Sequence, residues 1–221
     1  MATVIERDKN RYEVVKVLNP DDQVLNVAIT SPLTGNPTAA TDAFGRQRVS
    51  NPLTLFDSSH RYKDNGLWNS NTASGGAVTF QANEGLVDLS VTTTSGSLVY
   101  RETTKVFSYQ PGKSLLVLNT FVMAPTKTNL RQRVGYFGAD NGMYIELDNS
   151  TLSFVKRSST SGSLVETRVA QANWNLDKMD GAGPSGLTLD ITKAQILWMD
   201  IEWLGLGSVR MGFVINGLFI P

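Results

Sequence analysis

Apolar and polar side chains alternate along the last part of the chain, from residue 195 to residue 216. A period of two places successive side chains on opposite faces of a β-strand. We therefore predict two strands, separated by a glycine-containing turn at residues 204–207, that pair as the central hairpin of the core. The apolar side chains that share one face are Leu197, Met199, Ile201 and Trp203 in the first strand and Val209, Met211, Phe213 and Ile215 in the second.

Shorter β-type runs precede this hairpin, and almost no segment has the i, i+3, i+4 apolar spacing of an amphipathic helix. Asp140-Asn141-Gly142 indicates a tight hairpin, because the Asn-Gly pair accepts positive φ. The pattern indicates an all-β fold, an antiparallel β-sandwich or jelly roll of the concanavalin-like type. The predicted strands lie at residues 78–81, 86–92, 114–123, 134–137, 143–147, 151–156 and 164–170.

The first 42 residues differ from the rest and are predicted to form an extended N-terminal arm and linker ahead of a β-sandwich domain at residues 43–221. Residues 12–18 and 24–30 are predicted short strands, and residues 31–42 carry two prolines and many small polar residues, as a linker does. The alternative is that residues 1–42 are an ordinary first hairpin of the domain. Residues 1–9 lack an apolar core, so no secretory signal is expected there.

Composition removes many kinds of chemistry. The chain has 221 residues, 20 basic and 20 acidic side chains, one His and no Cys. Absence of Cys excludes disulfides, thiol nucleophiles and thiolate metal sites, and a single His excludes the usual multi-His zinc site. Balanced charge argues against a nucleic-acid partner. The longest apolar runs are far shorter than a membrane span. We expect no enzyme activity, no cofactor, no metal and no membrane or nucleic-acid partner.

Two further groups of side chains are candidates for a cation site and for a serine triad. Asp177 and Asp180 form the best local group of carboxylates for a hard cation, but their spacing is not that of a calcium loop. His60 would be needed for a serine triad, yet no Gly-x-Ser-x-Gly turn accompanies it. We interpret His60 as a surface or interface residue.

The strand at residues 198–202 carries the remaining candidate site. Asp200 and Glu202 are two residues apart and share a face, about 6.5–7 Å from each other, a spacing that suits paired carboxylates at a sugar. This segment resembles the catalytic strand of laminarinase-like glycoside hydrolases. That resemblance implies a nucleophile at the position occupied by Trp198, so hydrolysis is not expected. Trp198, Asp200 and Glu202 are therefore glycan-binding candidates, and the simpler interpretation is a polar outer face.

Residues 43–58 read Ala-Phe-Gly-Arg-Gln-Arg-Val-Ser-Asn-Pro-Leu-Thr-Leu-Phe-Asp-Ser. This segment resembles one that recurs in virion structural proteins of tailed bacteriophages, particularly those of marine cyanobacteria, ahead of a β-rich domain. Residues 181–190 and 195–217 resemble the same family in the same order. The resemblance implies a structural protein of the virion, in the head or in the tail, baseplate or fibre, assembled in the host cytoplasm.

The expected partners are copies of the chain itself, as a homo-oligomer, and other virion proteins. The interface candidates are Phe44, Arg46, Arg48 and Phe56. The arginines suit bidentate contacts with carboxylates of a neighbour, and surface ion pairs within one chain are the equal alternative. A carbohydrate-binding jelly roll that contacts host surface glycans is the alternative function, and a glycoside-hydrolase-like domain without its nucleophile is a third.

Overall fold

Antiparallel β-strands make up the fold. A computed structural model describes residues 4–7, 13–16, 52–202, 204 and 207–221. These residues contain strands and one 3-10 turn at Gln171–Asn173 but no α-helix, so the all-β prediction is confirmed. The strands in chain order are β1 (Val4–Arg7), β2 (Glu13–Lys16), β3 (Trp68–Ala73), β4 (Ala77–Gln81), β5 (Leu86–Ser90), β6 (Leu98–Thr103), β7 (Leu115–Phe121), β8 (Arg131–Phe137), β9 (Gly142–Asp148), β10 (Thr151–Ser158), β11 (Val165–Ala170), β12 (Gln195–Ile201), β13 (Val209–Ile215) and β14 (Leu218–Ile220).

The chain divides into two compact units. The first comprises Met1–Arg48 and Ser114–Pro221, and the second comprises Val49–Lys113. Within the first unit, β1 and β2 pair with each other in antiparallel fashion. The predicted boundary between residues 42 and 43 lies outside the described residues, as does most of the predicted arm.

One four-stranded sheet of the first unit has the order β11-β10-β9-β8, and we call it the β8–β11 sheet. The predicted hairpin at residues 140–142 joins β8 to β9. Gly142 has φ +140°, and a Cβ there would lie 2.3 Å from the Cα of Phe137, so this tight turn requires glycine. The backbone N–H of Gly138 closes the turn on the carbonyl of Asn141 at 2.8 Å.

The other four-stranded sheet has the order β14-β13-β12-β7, and we call it the β7–β14 sheet. The predicted terminal hairpin is confirmed, because β12 pairs with β13 with Leu197 opposite Phe213 and Met199 opposite Met211. Trp203, which was assigned to the same face, lies outside the described residues. The predicted strand at residues 114–123 is β7, and it stands at one end of the strand order.

Both sheets contribute apolar side chains to the interior of the first unit. Phe154 in β10 stacks on Trp174 with ring centroids 4.3 Å apart, and it lies 6.1 Å from Phe213 in β13. These rings connect the two sheets. Burial of each large apolar side chain contributes about 1.5–3 kcal/mol. The most deeply buried apolar side chains on the facing sides of the two sheets are Ile145, Leu197, Met199 and Phe213, whereas Tyr144, Val155 and Trp198 are buried on the opposite faces. Met179, in the segment between β11 and β12, is also buried.

The described part of the second unit contains two two-stranded sheets rather than one large sheet. β3 pairs with β6 and β4 pairs with β5. An aromatic cluster lies beside them, in which Phe56 meets Trp68 at 5.6 Å and Phe107 at 5.2 Å. No side chain between residues 52 and 113 is fully buried, in contrast to the first unit. The two-stranded pairs therefore lack the covered apolar face that stabilises a sheet.

Candidate functional site

Trp198, the first glycan-binding candidate, is buried. By alternation it lies on the face of the β7–β14 sheet opposite Leu197 and Met199, which we call the outer face. Only 2% of Trp198 is exposed, its indole Nε1 donates a hydrogen bond to the carbonyl of Ile220 at 3.2 Å, and its ring meets Phe219 at 5.6 Å. The terminal strand β14 therefore covers the indole.

Asp200 and Glu202, the other two candidates, are also buried, with no exposed area. Asp200 lies directly opposite Arg210 in the β12–β13 ladder and forms an ion pair with it. The backbone N–H of Glu202 donates to the carbonyl of Ser208 at 3.3 Å. The pairing of β12 with β13 thus places the Asp200 carboxylate beside the Arg210 cation on the neighbouring strand.

Three of the four interface candidates, Phe44, Arg46 and Arg48, lie outside the described residues. The fourth, Phe56, is half-buried in the aromatic cluster of the second unit and packs on Trp68 and Phe107. The single imidazole, His60, lies beside the same cluster, 6.3 Å from the ring of Trp68.

A charged network that the sequence analysis missed covers one face of the β8–β11 sheet. Glu146 is only 1% exposed, although it sits on a sheet face, because arginines close over it. Arg133 lies directly opposite on β8 and donates from Nε to Glu146 Oε2 at 2.7 Å. Arg168 reaches from β11 across β10 and donates from Nε to Glu146 Oε1 at 2.7 Å.

Glu166 is the second carboxylate of this network. It accepts hydrogen bonds from Arg157 Nη2 at 2.6 Å, from the Tyr144 hydroxyl at 2.8 Å and from Arg168 Nη2 at 2.5 Å. Arg168 therefore bridges the two carboxylates. The sequence signal for this network is the presence of charged residues at alternate positions of a strand, such as Glu166 and Arg168. Its members are Arg133, Tyr144, Glu146, Arg157, Glu166 and Arg168.

The network shifts the ionisation of both carboxylates. Burial alone raises the pKa of Glu166, but hydrogen bonds from Tyr144, Arg157 and Arg168 outweigh it and lower the pKa to about 2. For Glu146 burial is again the largest influence and raises the pKa, yet Arg168 and Arg133 leave it below the ordinary value. Both side chains are therefore ionised at neutral pH and serve as fixed acceptors.

The outer face of the β7–β14 sheet carries exposed apolar side chains on β7 and β12. Leu116, Leu118 and Ile196 are 38%, 53% and 38% exposed, and we call them the outer apolar patch. Ile196 lies opposite Thr120, so it is a diagonal neighbour of Leu118 across the ladder. Among the described strands β7 pairs only with β12, which leaves its other edge unpaired.

Asp177, weighed as a cation ligand, has a structural role. Its Oδ1 accepts the backbone N–H of Met179 and its Oδ2 accepts that of Ser185, both at 2.7 Å. Burial raises the pKa of Asp177, but hydrogen bonds from the Ser185 side chain and from the backbone of Met179 and Ser185 outweigh it and lower the pKa. Both oxygens are occupied in holding the loop. Within the described residues, no group of three or more His, Asp or Glu side chains is arranged to hold a metal ion.

Neither a protein-family model, nor a curated protein, nor a solved structure matches this chain. In the described part of the chain, no helix has the length and apolar character needed to cross a membrane.

Proposed function

We propose that this chain is a non-enzymatic structural protein of a bacteriophage virion that assembles through contacts with copies of itself and with other virion proteins. The outer apolar patch carries the proposal, because it lies beside an edge of β7 with which no described strand pairs. Soluble proteins usually cover or charge such edges, and contiguous exposed apolar residues mark interaction sites. The resemblance of residues 43–58 to tailed-phage virion proteins supports a bacteriophage virion as the assembly that the chain joins.

We propose further that the first unit is a β-sandwich of the jelly-roll type. Ring contacts between Phe154 of one sheet and Phe213 of the other support it. The alternation in β12 and β13 also supports it, because Leu197, Met199 and Phe213 are buried on one face. Such a sandwich provides a rigid body with two outer faces for neighbours.

Charge and burial support a protein partner and a role without catalysis. The chain carries 20 acidic and 20 basic side chains, so the counterion release that drives nucleic-acid binding is not favoured. Asp200 and Glu202 have no exposed area and Asp200 is ion-paired, so neither carboxylate is open to a substrate. The proposed location is the virion, after assembly in the host cytoplasm.

Carbohydrate binding is the alternative function, and the positions of its candidates do not favour it. Sugar recognition needs an aromatic face open to the ligand, whereas Trp198 lies under Phe219 and Ile220. Binding on a glycan array that is lost in Trp198→Ala, in a variant that remains folded, would replace the structural proposal with this one.

The outer apolar patch is tested by Leu118→Lys in the full chain. We expect sedimentation velocity over a concentration series to show association of the wild type and at least about tenfold weaker association of the variant, since a buried unpaired charge opposes contact. Leu176→Lys is the matched control, because Leu176 is 46% exposed, lies outside the two strands that carry the patch and receives the same added charge. A wild type that stays monomeric at every concentration contradicts the proposal.

The proposed location in the virion is tested by imaging purified particles of the phage that encodes the chain. The images must resolve side chains. We expect repeated copies in the particle, with the outer face of β7 against a neighbour. Particles that lack the chain contradict the proposed virion role.

A further inference from the structure

One face of the β3–β6 pair in the second unit is open to solvent. By alternation, Trp68, Ser70 and Arg101 share the other face, where Arg101 lies over the Trp68 ring at 5.7 Å and donates to Ser70 Oγ at 3.1 Å. The six side chains of the open face are all exposed, and we call them the amide–tyrosine face. They are Asn69, Asn71, Ala73, Leu98, Tyr100 and Glu102.

The strand register arranges this face in three rows of opposite pairs. The rows are Asn69 with Glu102, Asn71 with Tyr100, and Ala73 with Leu98. Opposite Cβ atoms in a ladder are about 4.5–5.5 Å apart, and successive rows on one face are about 6.5 Å apart. The face therefore presents an aromatic ring between a polar row and an apolar row, over the dimensions of one or two sugar rings.

Tyr100 is an exposed aromatic side chain that a neighbour holds in place. It is 42% exposed, and its hydroxyl accepts a hydrogen bond from Asn71 Nδ2 at 3.1 Å across the ladder. The phenolic proton and Asn71 Oδ1 remain able to bond to a ligand. Tyr gives a rigid amphipathic contact at low cost in conformational entropy, and Asn gives adaptable hydrogen bonds, the combination that many recognition surfaces use.

The polar row has hydrogen-bonding groups to spare. Among the described residues, neither the Asn69 nor the Glu102 side chain forms a hydrogen bond or an ion pair. An amide offers two donors and an acceptor, and a carboxylate offers acceptors only. Asparagine is depleted in strands, yet β3 places two on this face. Strand propensity therefore does not account for the two amides, whereas contact with a ligand does.

We propose that the amide–tyrosine face binds a neutral saccharide. A sugar ring has an apolar C–H face and a rim of hydroxyl groups. The C–H face packs on Tyr100 and Leu98, and the hydroxyls bond to Asn69 and Glu102. Glu102 is the only charged side chain of the face, so it accepts from hydroxyl donors and repels the negative charge of a uronic acid or a sulfated sugar.

This site goes beyond the proposed structural function and does not depend on it. Trp198 is closed to a sugar, whereas Tyr100 is open and lies in the other unit. The face is flat and covers less of a ligand than a pocket does, so we expect a Kd of about 1 mM for one copy. Joint display of several copies raises the avidity by about 10²–10⁴-fold.

The test displays the biotinylated full-length chain on fluorescent streptavidin beads over an array of neutral hexose oligosaccharides, with uronic-acid and sulfated oligosaccharides on the same array. We expect binding to at least one neutral oligosaccharide and none to the acidic ones. Tyr100→Ala should weaken binding at least about tenfold, because the stacking surface is lost. Tyr62→Ala is the matched control and should bind as the wild type does, since Tyr62 is 90% exposed and lies outside β3 and β6.

Glu102→Gln tests the polar row without removing a packing group. We expect about 3–10-fold weaker binding, because a neutral amide accepts hydroxyl hydrogen bonds less strongly than a carboxylate. The side chain is exposed, so the thermal midpoint should stay close to that of the wild type. This variant decides the outcome if Tyr100→Ala does not fold.

Four results overturn the site. They are no binding to any neutral oligosaccharide, binding to acidic oligosaccharides that equals or exceeds it, binding that is unchanged in Glu102→Gln or in folded Tyr100→Ala, and an equal loss in Tyr62→Ala. Each of them leaves the proposed structural function intact, because association of copies is measured separately. A wild type that binds the sugar through this face but never associates contradicts the structural function and leaves the site standing.

Discussion

Glu146 illustrates how a single residue acquires its role from its neighbours. A carboxylate that is 1% exposed is costly unless its oxygens are paired, and here each oxygen receives a charged hydrogen bond at 2.7 Å from Arg133 or Arg168. The arginines themselves are 24% and 37% exposed, so they keep part of their hydration. The arginines therefore form these ion pairs without losing all of their hydration. Loss of an arginine would leave the buried carboxylate of Glu146 unpaired, which is strongly destabilising.

Glu146→Gln is expected to destabilise the first unit by about 2–4 kcal/mol, because both hydrogen bonds lose their charged acceptor, one acceptor oxygen is replaced by an NH2 group, and Arg133 loses its nearest anion while Arg168 keeps only Glu166. Urea unfolding followed by tryptophan fluorescence measures the change. Asp140→Asn is the matched control, since Asp140 is exposed in the β8–β9 turn and should shift stability by less than about 0.5 kcal/mol. Equal effects of the two substitutions would contradict a stabilising role for the network.

Glu166 makes stability depend on pH. Its pKa is about 2 in the folded chain, against an ordinary value of 4.5. A lowered folded pKa gives stability that is complete above pH 4.5 and is lost as pH falls towards 2. The loss amounts to at most about 3 kcal/mol for this group. Urea unfolding at several pH values should show a flatter acid dependence in Glu166→Gln, and an unchanged slope would contradict the assignment.

At the scale of elements, a glycine positions the terminal strand. Gly212 in β13 lies opposite Trp198 in β12, and a Cβ on Gly212 would lie 1.9 Å from the carbonyl oxygen of Ile220. Absence of a side chain lets the end of β14 approach the outer face, where Ile220 accepts the hydrogen bond from the indole. The burial of Trp198 thus depends on Gly212.

Gly212→Ala is expected to displace the end of β14, expose Trp198 and cost about 1–3 kcal/mol, as overpacking does. Tryptophan emission should shift to longer wavelength in the folded state, and amide hydrogen exchange should accelerate at residues 218–220. Gly138→Ala is the control, because no atom lies within 4 Å of its added Cβ. An unshifted emission in Gly212→Ala would show that Trp198 is covered by other means.

The positions of the strands along the chain follow from the local sequence pattern, whereas the order of the strands within a sheet does not. Period-two alternation located β12 and β13 and assigned Leu197, Met199 and Phe213 to one face, because that assignment needs only the pleat. Residues 114–123 were predicted as a strand from their apolar run, as if it crossed the core, and that run did not reveal that β7 ends a sheet with Leu118 exposed. Strand order depends on contacts between distant segments, which alternation does not encode.

At the scale of the whole molecule, the two units differ in how much apolar surface they cover. The first unit buries side chains from two four-stranded sheets, and the second, between residues 52 and 113, buries none completely. Zero net charge allows contacts between copies of the chain without long-range repulsion.

Sequence alone determined the all-β class, the Asn-Gly hairpin, the pairing of the strands that became β12 and β13, and the lack of thiol chemistry. Each of these depends on a residue type or on a short-range period. Only the tertiary structure decided that Trp198, Asp200 and Glu202 are buried, that Glu146 and Glu166 share arginines, and that Leu118 stays exposed. Burial and charge pairing depend on which strands lie side by side, and distant segments set that arrangement together.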